Sequence, residues 1–162
     1  MELHQTLSQQ VGEQLLAAGE ILVTAESCTG GGVATAVTDI AGSSAWFDRA
    51  FVTYSNEAKQ EMIGVKAATL EQYGAVSEPV VVEMVLGALK HSQGSVGISI
   101  SGIAGPGGGS AEKPVGTVCF AWASKHGWLH VETHHFAGDR AQVRYQAVQH
   151  ALLTLSKYLS MA

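Results

Sequence analysis

Short apolar runs alternate along this chain with segments whose apolar residues recur at helical spacing, and that alternation leaves few folds open. ILVTA (21–25), RAFVTY (49–54) and SVGISIS (95–101) read as strands, because they are short, apolar and partly β-branched or aromatic. Between them lie helical patterns. Residues 4–18 carry Leu7, Val11 and Leu15 on one face and stop at Gly19. Val33–Ile40 follows the first strand and stops at Gly42. Asn56 is expected to cap a helix through Ile63 that Gly64 closes, and another short helix stops at Gly74. Ser77-Glu78-Pro79 opens a longer helix whose VVVEMVLGAL is apolar nearly all round, which predicts burial on every side. TVCFAWAS (117–124) and WLHVETHHF (128–136) flank Lys125-His126-Gly127 as a β-hairpin. Asp139 is expected to cap a last helix with Val148, Leu152, Leu155 and Leu159 on one face. The predicted order is α-β-α-β-α-α-α-β-β-β-α. It implies one α/β domain over residues 1–162: about five strands in a mixed, mostly parallel sheet covered by helices on both faces.

Composition narrows the function classes. With 9 Lys+Arg against 14 Asp+Glu the net charge is −5, which argues against a nucleic-acid partner. Charged residues are 14% of the chain against 46% hydrophobic, too few for a disordered chain. No apolar run reaches the roughly 18–20 residues of a membrane span, and the N-terminus lacks a basic start followed by an apolar stretch. A cytoplasmic location is therefore expected. Cys28 and Cys119 lack CxxC spacing and read as reduced thiols. A homodimer remains an open expectation.

In open α/β sheets ligands gather beyond the C-terminal strand ends. Three segments fall there: Ser27–Gly32, Tyr54–Lys59 and Gly102–Ser110. Ser27 followed by Thr29, Gly30 and Gly31 at a helix start sets a hydroxyl beside backbone N–H groups suited to an oxyanion. Lys59 falls in the first turn of its helix, where the macrodipole opposes a cation, and a lysine held neutral can act as a base. The dipole supplies only about 0.3–1 kcal/mol, so burial has to supply most of the shift. Gly102–Ser110 holds five glycines and can bring backbone against a phosphate or a flat ring, but fits neither the Walker nor the dinucleotide pattern. Arg140 and Arg144 sit oddly near a helix N-terminus unless a bound dianion shares the place, so Arg140 with the backbone of Gly102–Gly109 is expected to hold a phosphate. His130 and His134 share a strand face, yet no carboxylate or cysteine is read as joining them and they are placed far from the strand ends. No metal is expected.

TAESCTGG (24–31), AGSSAWFDRAFVTYSNEAKQEMIGV (41–65), YGAVSEPVV (73–81), SGIAGPGGG (101–109), KPVGTV (113–118) and GDR (138–140) together resemble the CinA C-terminal domain family. The likeness runs in family order from about Gln5 to the last helix. It implies a three-layer α/β/α sandwich and hydrolysis of the carboxamide of nicotinamide mononucleotide to nicotinic acid mononucleotide and ammonia, in pyridine nucleotide (NAD) recycling. It further implies a Ser–Lys site assisted by a tyrosine, at Ser27, Lys59 and Tyr54, with no cofactor. Expected substrate contacts are Thr29, Gly30, Gly31, Ser44, Gly102, Gly105 and Arg140. Two other readings remain beside it: a non-catalytic nucleotide-binding or interaction module linked to competence or DNA damage, and a hydrolase using Cys28.

Overall fold

The computed structural model describes residues 2–161. The elements follow the predicted order: α1 (Glu2–Ala18), β1 (Leu22–Glu26), α2 (Gly32–Thr38), β2 (Phe47–Val52), α3 (Asn56–Ile63), α4 (Ala67–Tyr73), α5 (Glu78–Lys90), β3 (Val96–Gly102), β4 (Thr117–Ser124), β5 (Leu129–His135) and α6 (Arg140–Met161), with a short 3-10 turn at Ser43–Ala45 before β2. One five-stranded sheet has the order β2-β1-β3-β4-β5. β1 runs parallel to both neighbours, whereas β4 is antiparallel to β3 and to β5. Four strands thus point one way and β4 opposes them.

The central strands have little choice but this placement. β1, β3 and β4 are buried nearly throughout, so their continuous apolar runs need cover on both sides. One core cluster gathers Leu15, Leu22, Ile98, Trp122, Leu152 and Leu155 under α1, α2 and α6. The other gathers Val23, Ile63, Met84, Val85 and Ala121 under α3, α4 and α5. Each such side chain contributes about 1.5–3 kcal/mol by leaving water. Trp122 is fully buried and still satisfied, since its indole N–H donates to the Ala151 carbonyl at 3.1 Å.

Three local expectations need correction. The cap of α3 is Ser55, whose hydroxyl accepts from the Ala58 N–H at 3.0 Å, and Asn56 is already helical. α5 is not buried all round: Val80, Val81, Met84, Val85, Ala88 and Leu89 face inward while Leu86 is exposed. β5 has histidine partners that the sequence reading missed. Glu132 alternates between His130 and His134 and accepts from both, and His150 of α6 reaches the same carboxylate. His134 is also level with the strand ends, because it pairs with Val118, itself paired with Gly102. The Asp139 cap stands: its carboxylate accepts from the Gln142 N–H at 2.9 Å, and the Gln142 side chain accepts from the Asp139 N–H at 2.8 Å. No helix among the described residues is long and apolar enough to cross a membrane.

Candidate active site

The ends of β1, β2 and β3 are tied together just where the chain leaves the sheet. Ser27 N–H donates to the Ile100 carbonyl at 3.0 Å and Thr53 N–H to the Glu26 carbonyl at 2.8 Å. These bonds extend the ladder one residue past β1 and deliver Ser27 beside the first turn of α3. A cleft of about 290 Å³ opens there, lined by Ser27, Tyr54, Lys59, Gly102, Gly105 and Arg140 among others. That volume lies near the lower end of the roughly 300–1,000 Å³ of small-molecule sites.

Lys59 is the chemically unusual group. It is 1% exposed, and its Nζ lies 3.1 Å from Ser27 Oγ, 2.9 Å from the Thr53 carbonyl and 3.4 Å from the Tyr54 carbonyl. Among the described residues no carboxylate forms an ion pair with it. Burial pushes its pKa below the usual lysine value, and the neighbouring Cys28 acts in the opposite direction. Its partners are three uncharged oxygens. Nζ donates toward the two carbonyls and toward Ser27 Oγ, and the Ser27 hydroxyl in turn donates to the Tyr54 carbonyl at 3.5 Å.

Cys28 is a poor competitor. It is buried, and burial pushes its thiol up to about 12, so the thiolate needed for attack is scarce.

Glu26 is the residue that sequence reasoning missed. Its side chain is 0% exposed, yet its carboxylate accepts from Thr29 Oγ1 at 2.7 Å, Thr24 Oγ1 at 3.1 Å, Val33 N–H at 2.9 Å and Ala34 N–H at 3.0 Å. The anion at the start of α2 is thus the protein's own. The signal was a carboxylate at the end of a fully buried strand, three residues before a threonine. This rearranges the oxyanion expectation. Gly30 N–H is committed to the Ser27 carbonyl at 3.0 Å, and Thr29, Gly30 and Gly31 line a neighbouring cleft with Arg144. Arg144 holds this turn by donating to the Cys28 carbonyl at 3.0 Å and the Thr29 carbonyl at 3.3 Å.

The other expected residues divide. Arg140 enters the cleft and donates to the Gly105 carbonyl at 2.8 Å and the Tyr54 hydroxyl at 3.1 Å. The Tyr54 side chain is therefore at the mouth, 60% exposed, and its carbonyl is the part that meets Lys59. Gly102 and Gly105 line the far wall. A Cβ at Gly102 would meet Val118 at 2.7 Å and Cys28 Sγ at 3.0 Å, while Gly105 has φ +86°, a conformation that favours glycine. Ser44 is not brought in. It lies in the 3-10 turn before β2, and β2 runs parallel to β1, so it sits at the opposite end of the sheet. A larger cleft of about 630 Å³ along the start of α6 is lined by Ala137, Gly138, Ala141, Gln142, Tyr145 and Gln146, which offer no nucleophile–base pair.

Comparison with known proteins gives one consistent answer. The CinA C-terminal domain family matches residues 4–159. A protein of Escherichia coli (strain K12) called nicotinamide-nucleotide amidohydrolase PncC is 63% identical over 149 residues, 92% of this chain and 90% of that protein. A protein of the same name from Enterobacter agglomerans is 59% identical over 94% of this chain and 92% of its own length. Among solved structures, the competence/damage inducible protein CihA from Agrobacterium tumefaciens superposes with a TM-score of 0.94 at 42% identity, covering 98% of this chain and 96% of that one. Fold, motif order and whole-length identity agree: the chain belongs to the CinA C-terminal domain family.

Proposed function

We propose that this protein is a hydrolase of the carboxamide of nicotinamide mononucleotide, releasing ammonia and nicotinic acid mononucleotide and so serving pyridine nucleotide recycling. The single observation that carries the mechanism is the buried Lys59 amine, without an ion pair among the described residues, 3.1 Å from the Ser27 hydroxyl. Relatives called nicotinamide-nucleotide amidohydrolases, 63% and 59% identical over nearly their whole length, support the substrate.

An amide is a weak electrophile, so the nucleophile must be activated. Ser27 Oγ attacks the carboxamide carbon while its proton passes to Lys59 Nζ, leaving a tetrahedral oxyanion. Collapse breaks the C–N bond, and the Lys59 ammonium returns that proton to the departing nitrogen as ammonia. The acyl group is left as an ester on Ser27. Water then attacks the ester, Lys59 takes the water's proton, and Ser27 leaves with it. The positive pyridinium of the substrate gives a further reason for Lys59 to stay neutral.

Arg140 is the proposed phosphate ligand. Two of its N–H groups hold Gly105 and Tyr54, which orients the guanidinium across the cleft and leaves three donors. Tyr54 contributes its carbonyl to Lys59 and its hydroxyl to Arg140, so it links the reacting end of the cleft to the anion end.

The test is ammonia and nicotinic acid mononucleotide counted from purified protein given nicotinamide mononucleotide. Equal, stoichiometric release supports the reading. Binding of the nucleotide without turnover would favour a non-catalytic module instead.

A further inference from the structure

The face of β5 turned toward α6 carries His130, Glu132 and His134 in alternation, and α6 sets His150 against them. The Glu132 carboxylate is the hub. Its Oε1 lies 2.5 Å from His134 Nε2 and 2.8 Å from His150 Nε2, and its Oε2 lies 2.5 Å from His130 Nε2. Donor atoms of Glu132, His134 and His150 all fall within 4.8 Å of one another. Each imidazole also has an aromatic support: His134 stacks with Phe136 at 5.6 Å between centroids, His150 meets Phe120 at 5.0 Å, and His130 leans on Trp122 at 5.4 Å. The rings are thus oriented in advance, which lowers the ordering cost of binding.

The amide chemistry does not use this cluster. None of its members lines the Ser27 cleft. The row Gly102, Val118, His134 sets it two strands away, about 10 Å across the sheet.

We propose that Glu132, His134 and His150 form a binding site for one divalent transition-metal ion of the zinc class. Imidazole nitrogens with one carboxylate oxygen suit zinc, whereas calcium and magnesium take oxygen donors. Zinc bonds of about 2.0–2.1 Å place tetrahedral donors about 3.3 Å apart, so each contact to Glu132 opens by less than about 1 Å. All three side chains are partly exposed, and small rotations achieve this. A ligating Nε2 must present its lone pair, so each bound ring carries its hydrogen on Nδ1. The ion would staple β5, an edge strand, to the helix that begins at Arg140. Its role is to brace that corner of the fold, and turnover does not require it.

The experiment uses the full chain, free of any affinity tag and stripped with a chelator, titrated with zinc chloride against a chromogenic zinc indicator. The expected result is one equivalent bound. At free zinc 100-fold above Kd the thermal midpoint should rise by roughly 5–10 °C. The double variant His134→Gln, His150→Gln should lose zinc affinity by about 100-fold or more while still hydrolysing the amide. Long-range proton–nitrogen spectra of the parent protein give the same answer if that variant does not fold. Zinc should shift the imidazole signals of His134 and His150 and leave His4, His91 and His126 in place. A hydrogen-bonded network and nothing more would give no one-to-one zinc binding, which overturns the proposal. So would undiminished affinity in the folded double variant, or shifts centred on other histidines.

Discussion

Lys59 Nζ and Ser27 Oγ lie 3.1 Å apart although the two residues are 32 positions apart in the chain. β1 and β2 run parallel and in register from Val23↔Arg49 to Glu26↔Val52, so the turns that follow them emerge side by side. The Ser55 cap then starts α3 at once and turns Lys59 back toward β1. Burial withdraws the amine from water and leaves it three oxygen partners, the Ser27 hydroxyl and the Thr53 and Tyr54 carbonyls.

Ser27→Ala should fold normally and lose about a thousandfold or more in kcat, since removing a nucleophile removes most of the chemistry. Cys28→Ala should keep most of the activity and lose only some stability, its thiol being buried and protonated. Steady-state kinetics on both variants checks this, and exchanged outcomes would reassign the nucleophile.

Lys59→Arg should be nearly as inactive as Lys59→Ala, because a guanidinium keeps its proton in any accessible pH range. A variant that retains substantial turnover would mean that position 59 supplies charge rather than accepting a proton.

Arg140→Ala should lower kcat/KM for nicotinamide mononucleotide by about 1.5–3 kcal/mol, the usual worth of a charged hydrogen bond. Slow use of the corresponding nucleoside should hardly change. An equal loss on both would make Arg140 a structural residue that only positions Tyr54 and Gly105.

Glu26→Gln should cost about 2 kcal/mol or more, because an amide cannot accept the same four hydrogen bonds and leaves buried donors unmatched. For a chain of this size that corresponds to a fall of roughly 4–8 °C in thermal midpoint. Calorimetry of the variant measures it, and an unchanged midpoint would show that the start of α2 does not depend on the carboxylate.

The element order and the three clustered turns were legible because period and glycine placement are local signals. The place of Lys59 near the start of α3 was legible for the same reason, since it could be counted. The residues that escaped were those whose partners come from elsewhere. Glu26 looked like one more polar residue after a strand, and only the fold shows α2 wrapping its first amides onto it. Glu132 stood between two histidines in plain alternation, but His150 joins them across the packing of α6 on β5. Tyr54 and Ser44 show another limit of the sequence. A motif names residues without saying which atom faces the site, and here the Tyr54 carbonyl rather than its hydroxyl meets Lys59. Ser44 lies within a matching stretch that begins at the other end of the sheet.

The protonation state of Lys59 in the resting protein tests the account most directly. Its side-chain Cε signal, followed by carbon NMR across pH, reports the titration of that one amine. Burial lowers the folded-state pKa, so the amine should lose its proton below the ordinary lysine value of about 10.4. Because the neutral form is the base, kcat/KM should fall on the acid side of that midpoint and level off above it. The account predicts that the NMR midpoint and the acid limb of kcat/KM coincide. A Lys59 that titrates at about 10.4 or higher while the protein turns over freely at neutral pH would contradict it.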